Sequence, residues 1–472
     1  MQEMEEDDLD SLRINKKTFI SASIWFLIII LESCLFSSSL LRADSYGTFS
    51  IIIIANLIGQ LLTLKICGCR VCSFFTAFIV LFYVFHMGQV IMLGTFPNYE
   101  YDYVNYITLY MNDSEIAKET ISMCITCISA FFLGGIIATG REEAIVENDE
   151  VLKNPFHSGK WMFILLFPFR LYADLVTVLA ALSGNYSSTF NVSLIGGGVT
   201  TALASIWYIS LPLFYLEIEP QKRKRYLFFV ICYLAFGMLS GARGHAVVGL
   251  LGLLLVVVLE KNRISINKFI VYLILGLLGL LVLDLVFDMR EIGVTAFFSN
   301  FSYYLSKALH NSIILETIGS FGETIFTPYL VLCGYGTQLT PWFGECFVKS
   351  IVSIVPDFFG WFTDINNQAI FQKMLRSAHT IGGSFAGDMF YNFGHLYWLG
   401  SAVIGFIYAR YSLKVSSAIK SSDYYFVYKC IPFLCLSLWW IRDSIGNMTR
   451  NLVWALLILY VIDNVFKHRR RT

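Results

Sequence analysis

A guanidinium fork stays charged at any physiological pH and matches phosphate oxygens two at a time. Arginines gathered on one side of a protein therefore make a binding site for a diphosphate. Five arginines in this chain sit between or just beyond long apolar runs. Arg243 lies in "MLSGARGHAVVG", beside His245, and Arg290 follows in "DLVFDMREIG". Arg376 and His379 open "KMLRSAHTIGGSFAGDMFYNFGH", and Arg442 and Arg450 share "WWIRDSIGNMTRN". Each has a plainer reading. Arg290 can pair with Asp288 or Glu291, Arg442 can pair with Asp443, and Arg450 can snorkel to an interface. Arg243 has no acid within several residues, so a local ion pair is less available to it.

A hydroxyl that acts as a nucleophile needs a base within hydrogen-bond reach. Glu316, Glu323, Asp357, Asp364 and Asp388 are acids in the same part of the chain, and His310 and His379 titrate nearer neutral pH. Reach is set by the fold, and the sequence ranks none of these above the others. Several motifs are absent: a Walker loop, HExxH, GxSxG, a dinucleotide fingerprint after a strand. Chemistry driven by a nucleotide or centred on a metal is not expected, and no cofactor is. A substrate would have to arrive already activated, for instance on a lipid diphosphate, with arginines stabilising the charge that leaves. "CGCRVC" (Cys67, Cys69, Cys72) offers no fourth zinc ligand and reads as reduced thiols. Cys333 and Cys346 lie in one connection and can bridge.

The elements that position these residues are apolar helices. Of 472 residues, 56% are hydrophobic and only 14% charged, against about 25% charged in soluble domains. Runs of about 20 apolar residues recur, each long enough to cross a bilayer. An all-α polytopic membrane protein of about 12 spans is expected. The spans fall near 18–41, 48–66, 71–94, 119–139, 161–182, 198–217, 226–240, 245–260, 268–288, 394–411, 426–441 and 452–466. The acidic leader is followed by no small-residue cleavage site, so the first run reads as a span. With both termini inside, "KICGCR", "QKRKR", "EKNRISINK", "ARYSLK" and "KHRRR" all become cytoplasmic, as the positive-inside rule asks. The five arginines then share the outer side. The parts are a cytoplasmic tail (1–17), spans one to nine (18–288), a large outer loop (289–393), spans ten to twelve (394–466) and a basic tail (467–472). The loop is rich in aromatics and poor in charge, which predicts helices on or dipping into the bundle. Spans seven and eight are short, so the Arg243 turn is expected to lie below the surface. Arg170 and Asp174 share a helix face at i and i+4, either as an internal pair or as the lining of a substrate path.

Two stretches resemble the Wzy-type O-antigen and repeat-unit polysaccharide polymerases. "SGARGHAVVGLLG" is similar to that family's glycine–arginine turn. "HTIGGSFAGDMFYNFGHLYWLGSAVIGF" is similar to its passage from large loop to next span: Gly382, Gly383, Ser384, then an acid, then Asn392, Phe393 and Gly394. The acid in many members is Glu, and here it is Asp388. The resemblance implies a GT-C-like architecture of the O-antigen polymerase and ligase type, in the bacterial inner membrane, without a metal. It implies a glycosyltransferase that joins undecaprenyl-diphosphate-linked repeat units at the periplasmic face. Arg243, Arg442, Arg290, Arg376 and Arg450 would bind the diphosphate. Asp388, His379 or Glu323 would orient or deprotonate the acceptor. His245, Ser384, Asn392 and Tyr391 would contact glycan or acceptor, with Trp342 and Trp361 as further stacking surfaces. Expected partners are the lipid-linked oligosaccharide, the bilayer, and a chain-length regulator and flippase of the same pathway; nucleic acid is not among them. Two alternatives remain: an O-antigen ligase, which moves glycan to lipid A core, and a lipid-linked oligosaccharide flippase. The flippase reading expects short outer loops and related halves.

Overall fold

The computed structural model describes residues 15–38, 41–69, 72–99, 104–140, 158–183, 194–195, 197–240 and 244–261, scattered positions from 279 to 289, and 292–310, 312–336, 344–352, 354–355, 382–421 and 423–469. The long elements are helical. Among the described residues, seven helices are long and apolar enough to cross a membrane. They are α1 (Lys16–Ser37), α2 (Tyr46–Ile66), α3 (Phe74–Thr95), α4 (Ser114–Thr139), α5 (Ser158–Ser183), α6 (Gly197–Glu217) and the last helix of the chain.

The other expected spans are not among these seven. Helix α7 (Arg223–Met238, 16 residues) and α8 (Gly244–Glu260, 17 residues) rise only about 25 Å at 1.5 Å per residue, against a hydrocarbon core of about 30 Å. The ninth expected span lies almost wholly outside the described residues. The large connection supplies short helices: α9 (Val294–Ser299), α10 (Phe301–His310), α11 (Ile313–Phe321), α12 (Phe326–Gly334), α13 (Glu345–Val352) and α14 (Phe385–Phe393). Next, α15 (Tyr397–Ser421) is long but carries Arg410, Lys414 and Lys420 in its second half. Helix α16 (Tyr424–Trp440) has 17 residues, and α17 (Ile445–Arg469) closes the chain.

Helix α4 is the pillar: 89% of its apolar window is buried. It packs on α15 and α1. Small residues let backbones meet there, as in membrane bundles generally. A Cβ on Gly134 would stand 1.8 Å from the Ala402 carbonyl oxygen, and one on Gly405 would stand 1.9 Å from that of Phe131. Ser401 Oγ adds a hydrogen bond to the Cys127 carbonyl at 2.7 Å. Buried Glu32 ties α1 to α2 and α4, accepting from Asn56 Nδ2 at 2.5 Å and from Ser129 Oγ at 3.1 Å. Polar groups at membrane depth need partners of this kind.

A second group joins α5 and α6 to α8, α16 and α17. Arg170 and Asp174 do form an internal ion pair: Arg170 Nε donates to Asp174 Oδ2 at 2.8 Å, and Nη2 to Oδ1. Tyr233 Oη of α7 donates to the same carboxylate at 2.6 Å, and the guanidinium lies 4.9 Å from the Tyr208 ring centre.

The short helices of the connection are built into the bundle. Helix α11 lies on α3, α12 on α4 and α14, and α14 on α15. Every residue from Phe385 to Asn392 is buried. Gly394 turns α14 into α15 with φ +53°, where a Cβ would also meet Tyr335 Oη at 2.7 Å.

Candidate functional site

The turn Ile441–Ser444, between α16 and α17, is where distant segments meet. Two carboxylates serve the orphan N–H groups at the start of α17. Asp443 Oδ1 accepts from Ser444 N at 2.7 Å and Asn447 Nδ2 at 2.9 Å, while Oδ2 accepts from Trp439 Nε1. Burial pushes the Asp443 carboxyl up, opposed by those hydrogen bonds and by the Arg450 charge. Asp388 reaches the same helix start from α14. Its Oδ2 accepts from Ile445 N and from Trp440 Nε1, both at 2.8 Å, and it is fully buried.

The glycine pair explains how α14 comes so close. A Cβ on Gly383 would stand 2.3 Å from Asp443 C, and one on Gly382 2.9 Å from the Arg442 carbonyl oxygen. The Gly382 carbonyl accepts from Thr327 Oγ1 at 2.9 Å, and Phe385 N donates to the Ile441 carbonyl at 3.3 Å. Ser384 then caps α14, accepting from Gly387 N at 3.1 Å.

Arg442 leaves the turn in the other direction. Its guanidinium stands 5.4 Å from the Phe85 ring centre, and Nη2 donates to Glu323 Oε1 at 3.2 Å. Both side chains keep some exposure, 25% and 35%. Glu323 belongs to a 3₁₀ turn, Gly322–Ile325, between α11 and α12. That turn is pressed backbone to backbone on α3: a Cβ on Gly322 would lie 2.3 Å from Gln89 N. Arg450, further along α17, donates to Asn447 Oδ1 at 2.8 Å, and its buried Nε finds no partner among the described residues.

The family model for the O-antigen polysaccharide polymerase Wzy matches residues 19–469, nearly the whole chain. The chain belongs to that family. No curated protein and no solved structure matches it. Within this polymerase family chain, the motif that carried the resemblance, Gly382-Gly383-Ser384 with Asp388, is the segment docked on the Arg442 turn.

The structure brings together four of the residues singled out by sequence: Arg442, Glu323, Ser384 and Asp388. It pairs Arg442 with Glu323, 119 positions away, and not with its neighbour Asp443, which is occupied by α17. Asn392 and Tyr391 are near but buried; Asn392 Nδ2 donates to the Asp388 main-chain carbonyl at 2.6 Å. His245 opens α8, and its side chain lies outside the described residues. Arg243, Arg290, Arg376 and His379 lie outside them too, as do Trp342, Trp361, Asp357 and Asp364. Cys333 carries a free thiol. Glu316 is buried in α11. No group of three or more metal-ligating side chains occurs among the described residues.

Sequence reasoning missed the residues of α3 that face this site. The helix contains a π-turn, Tyr83–Met87, which places Phe85 under Arg442 and His86 against Ser384. The signal was present: His86 and Gln89 are polar groups inside an apolar run, and such residues in a span usually have a task.

Proposed function

We propose that the chain is the O-antigen polymerase that joins lipid-linked repeat units at the outer face of the bacterial inner membrane, with both termini in the cytoplasm. The observation that carries this reading is the Arg442–Glu323 contact, a phosphate-type fork and a carboxylate on one partly open wall of a family polymerase. The pair is a single charge-assisted hydrogen bond, so a diphosphate with more oxygens can displace Glu323 from the fork.

The chemistry then balances without a cofactor. A hydroxyl of the incoming lipid-linked unit attacks the anomeric carbon of the growing chain. The bond between that carbon and the diphosphate breaks, and undecaprenyl diphosphate leaves with both bonding electrons. Arg442, with Arg243, Arg290, Arg376 and Arg450 as further candidates, stabilises the departing charge. Glu323, released from Arg442, takes the hydroxyl proton. His379 is the alternative base. Asp388 holds two N–H groups on one oxygen in a fully buried place, so in this mechanism it supports the Arg442 turn and touches no proton in flight. Ser384, Asn392 and Tyr391 then act on glycan only through the shape of α14. The family match favours the polymerase over the ligase and the flippase, and a chain-length regulator and flippase are the pathway partners this role needs.

Deletion of the gene in a strain with smooth lipopolysaccharide tests the reading. A polymerase predicts surface glycan capped at one repeat unit. Loss of every repeat unit points instead to ligation or flipping, and an unchanged ladder removes the chain from the pathway.

A further inference from the structure

The π-turn of α3 is the feature that the functional reading leaves unused. A π-turn closes its hydrogen bonds at i→i+5 where an α-helix closes them at i→i+4, and it recurs where a helix serves a site. Three residues in and just after it meet the site. Phe85 lies under the Arg442 guanidinium and packs on Phe321 at 5.2 Å between ring centres. His86, wholly buried, shares a hydrogen bond from Nε2 with Ser384 Oγ at 2.8 Å. Gly88 lets the helix touch the support of Glu323: a Cβ there would stand 2.2 Å from the Ile318 carbonyl oxygen. One helix turn thus meets the cation, the capping serine and the backing of the carboxylate.

The serine is the hinge of this arrangement. Ser384 Oγ already accepts from Gly387 N. The preceding glycines lie on the Arg442–Ser444 backbone, so the placement of Ser384 and of the Arg442 turn are one geometric fact. His86 is held for the task by Phe82, stacked on its ring at 4.2 Å and 14°.

We propose that His86 is a positioning residue of the polymerase site: its hydrogen bond to Ser384 sets the Gly382–Ser384 segment against the turn that presents Arg442 to the lipid diphosphate. It acts through Ser384 and Arg442 and touches no substrate. The inference rests on the proposed function, and elongation and diphosphate affinity are read separately so that the two failures are told apart.

The test uses full-length protein in liposomes. Two quantities are read: chain elongation from an undecaprenyl-diphosphate-linked single repeat unit, and affinity for undecaprenyl diphosphate alone. His86→Phe keeps ring, volume and stacking but removes the nitrogen. It is expected to lower both quantities about tenfold, the scale of one buried hydrogen bond. His86→Gln, which restores a polar partner for Ser384, should recover most of the loss. Ser384→Ala, which also loses the cap on Gly387 N, should lose at least as much as His86→Phe, and the double variant should be no worse than Ser384→Ala, because the contact with His86 is already gone. Wild-type affinity in His86→Phe or Ser384→Ala overturns the inference, and so does a double variant whose losses multiply. Failure of His86→Gln to recover beyond His86→Phe overturns it as well, even where His86→Phe itself accumulates poorly. If the wild type binds the lipid diphosphate but elongates nothing, the polymerase reading fails while the affinity series still decides the role of His86.

Discussion

Replacing Arg442 with alanine separates a functional arginine from a structural one. The side chain makes one hydrogen bond to Glu323 and one aromatic contact with Phe85, at 25% exposure. A partly exposed ion pair is worth about 0–1 kcal/mol, and a cation–π contact at such a site about 0.5–1 kcal/mol. The fold should therefore lose no more than about 2 kcal/mol, and the variant should accumulate in the membrane. A diphosphate held by the fork is different. Each hydrogen bond to a charged group contributes about 1.5–3 kcal/mol, and its strength grows as charge builds on the leaving group. Losing about 3 kcal/mol at that moment lowers the rate by about 100-fold. Arg442→Lys keeps the charge without the fork and should lose about tenfold. The assay is the initial rate of elongation at matched protein level, alongside thermal stability in detergent. An Arg442→Ala protein within about twofold of wild-type rate would rule out a fork that grips the diphosphate.

Asp388 should behave in the opposite way. Asp388→Asn keeps an oxygen for Trp440 Nε1 and Ile445 N and is expected to stay folded with substantial activity, whereas Asp388→Ala strands two buried donors. The alanine variant should lose about 2–5 kcal/mol of stability, read as a drop in melting temperature; complete inactivity of a stable Asp388→Asn would restore Asp388 as the base. Gly383→Ala puts a Cβ 2.3 Å from Asp443 C, with only backbone around it to yield. It should abolish polymer more severely than Gly382→Ala, where a single carbonyl oxygen lies at 2.9 Å, and equal activities would mean the docking of α14 is not required.

The helices were legible because apolar runs announce themselves. The Arg170–Asp174 pair was legible because i and i+4 share a face. What stayed hidden depends on contacts between segments far apart. Arg442 sits next to Asp443 in sequence, yet Asp443 is committed to capping α17, which leaves the arginine to find Glu323. The link from His86 to Ser384 spans 298 positions and relies on a π-turn that no composition rule marks. The burial of Asp388 under Trp440 is decided by packing that the motif does not encode. The seven long spans stand out against shorter helices such as α7 and α16, because periodicity shows that a segment is apolar but not how many of its residues the fold makes helical.

The proposed function puts elongation of a lipid-linked glycan at the wall built by Arg442 and Glu323. Purified protein in liposomes, given only an undecaprenyl-diphosphate-linked repeat unit, measures it directly. The account predicts a ladder of products, one undecaprenyl diphosphate released per new linkage, and the loss of both in Glu323→Gln. A ladder undiminished in Glu323→Gln, or a wild-type protein that extends nothing, would contradict it.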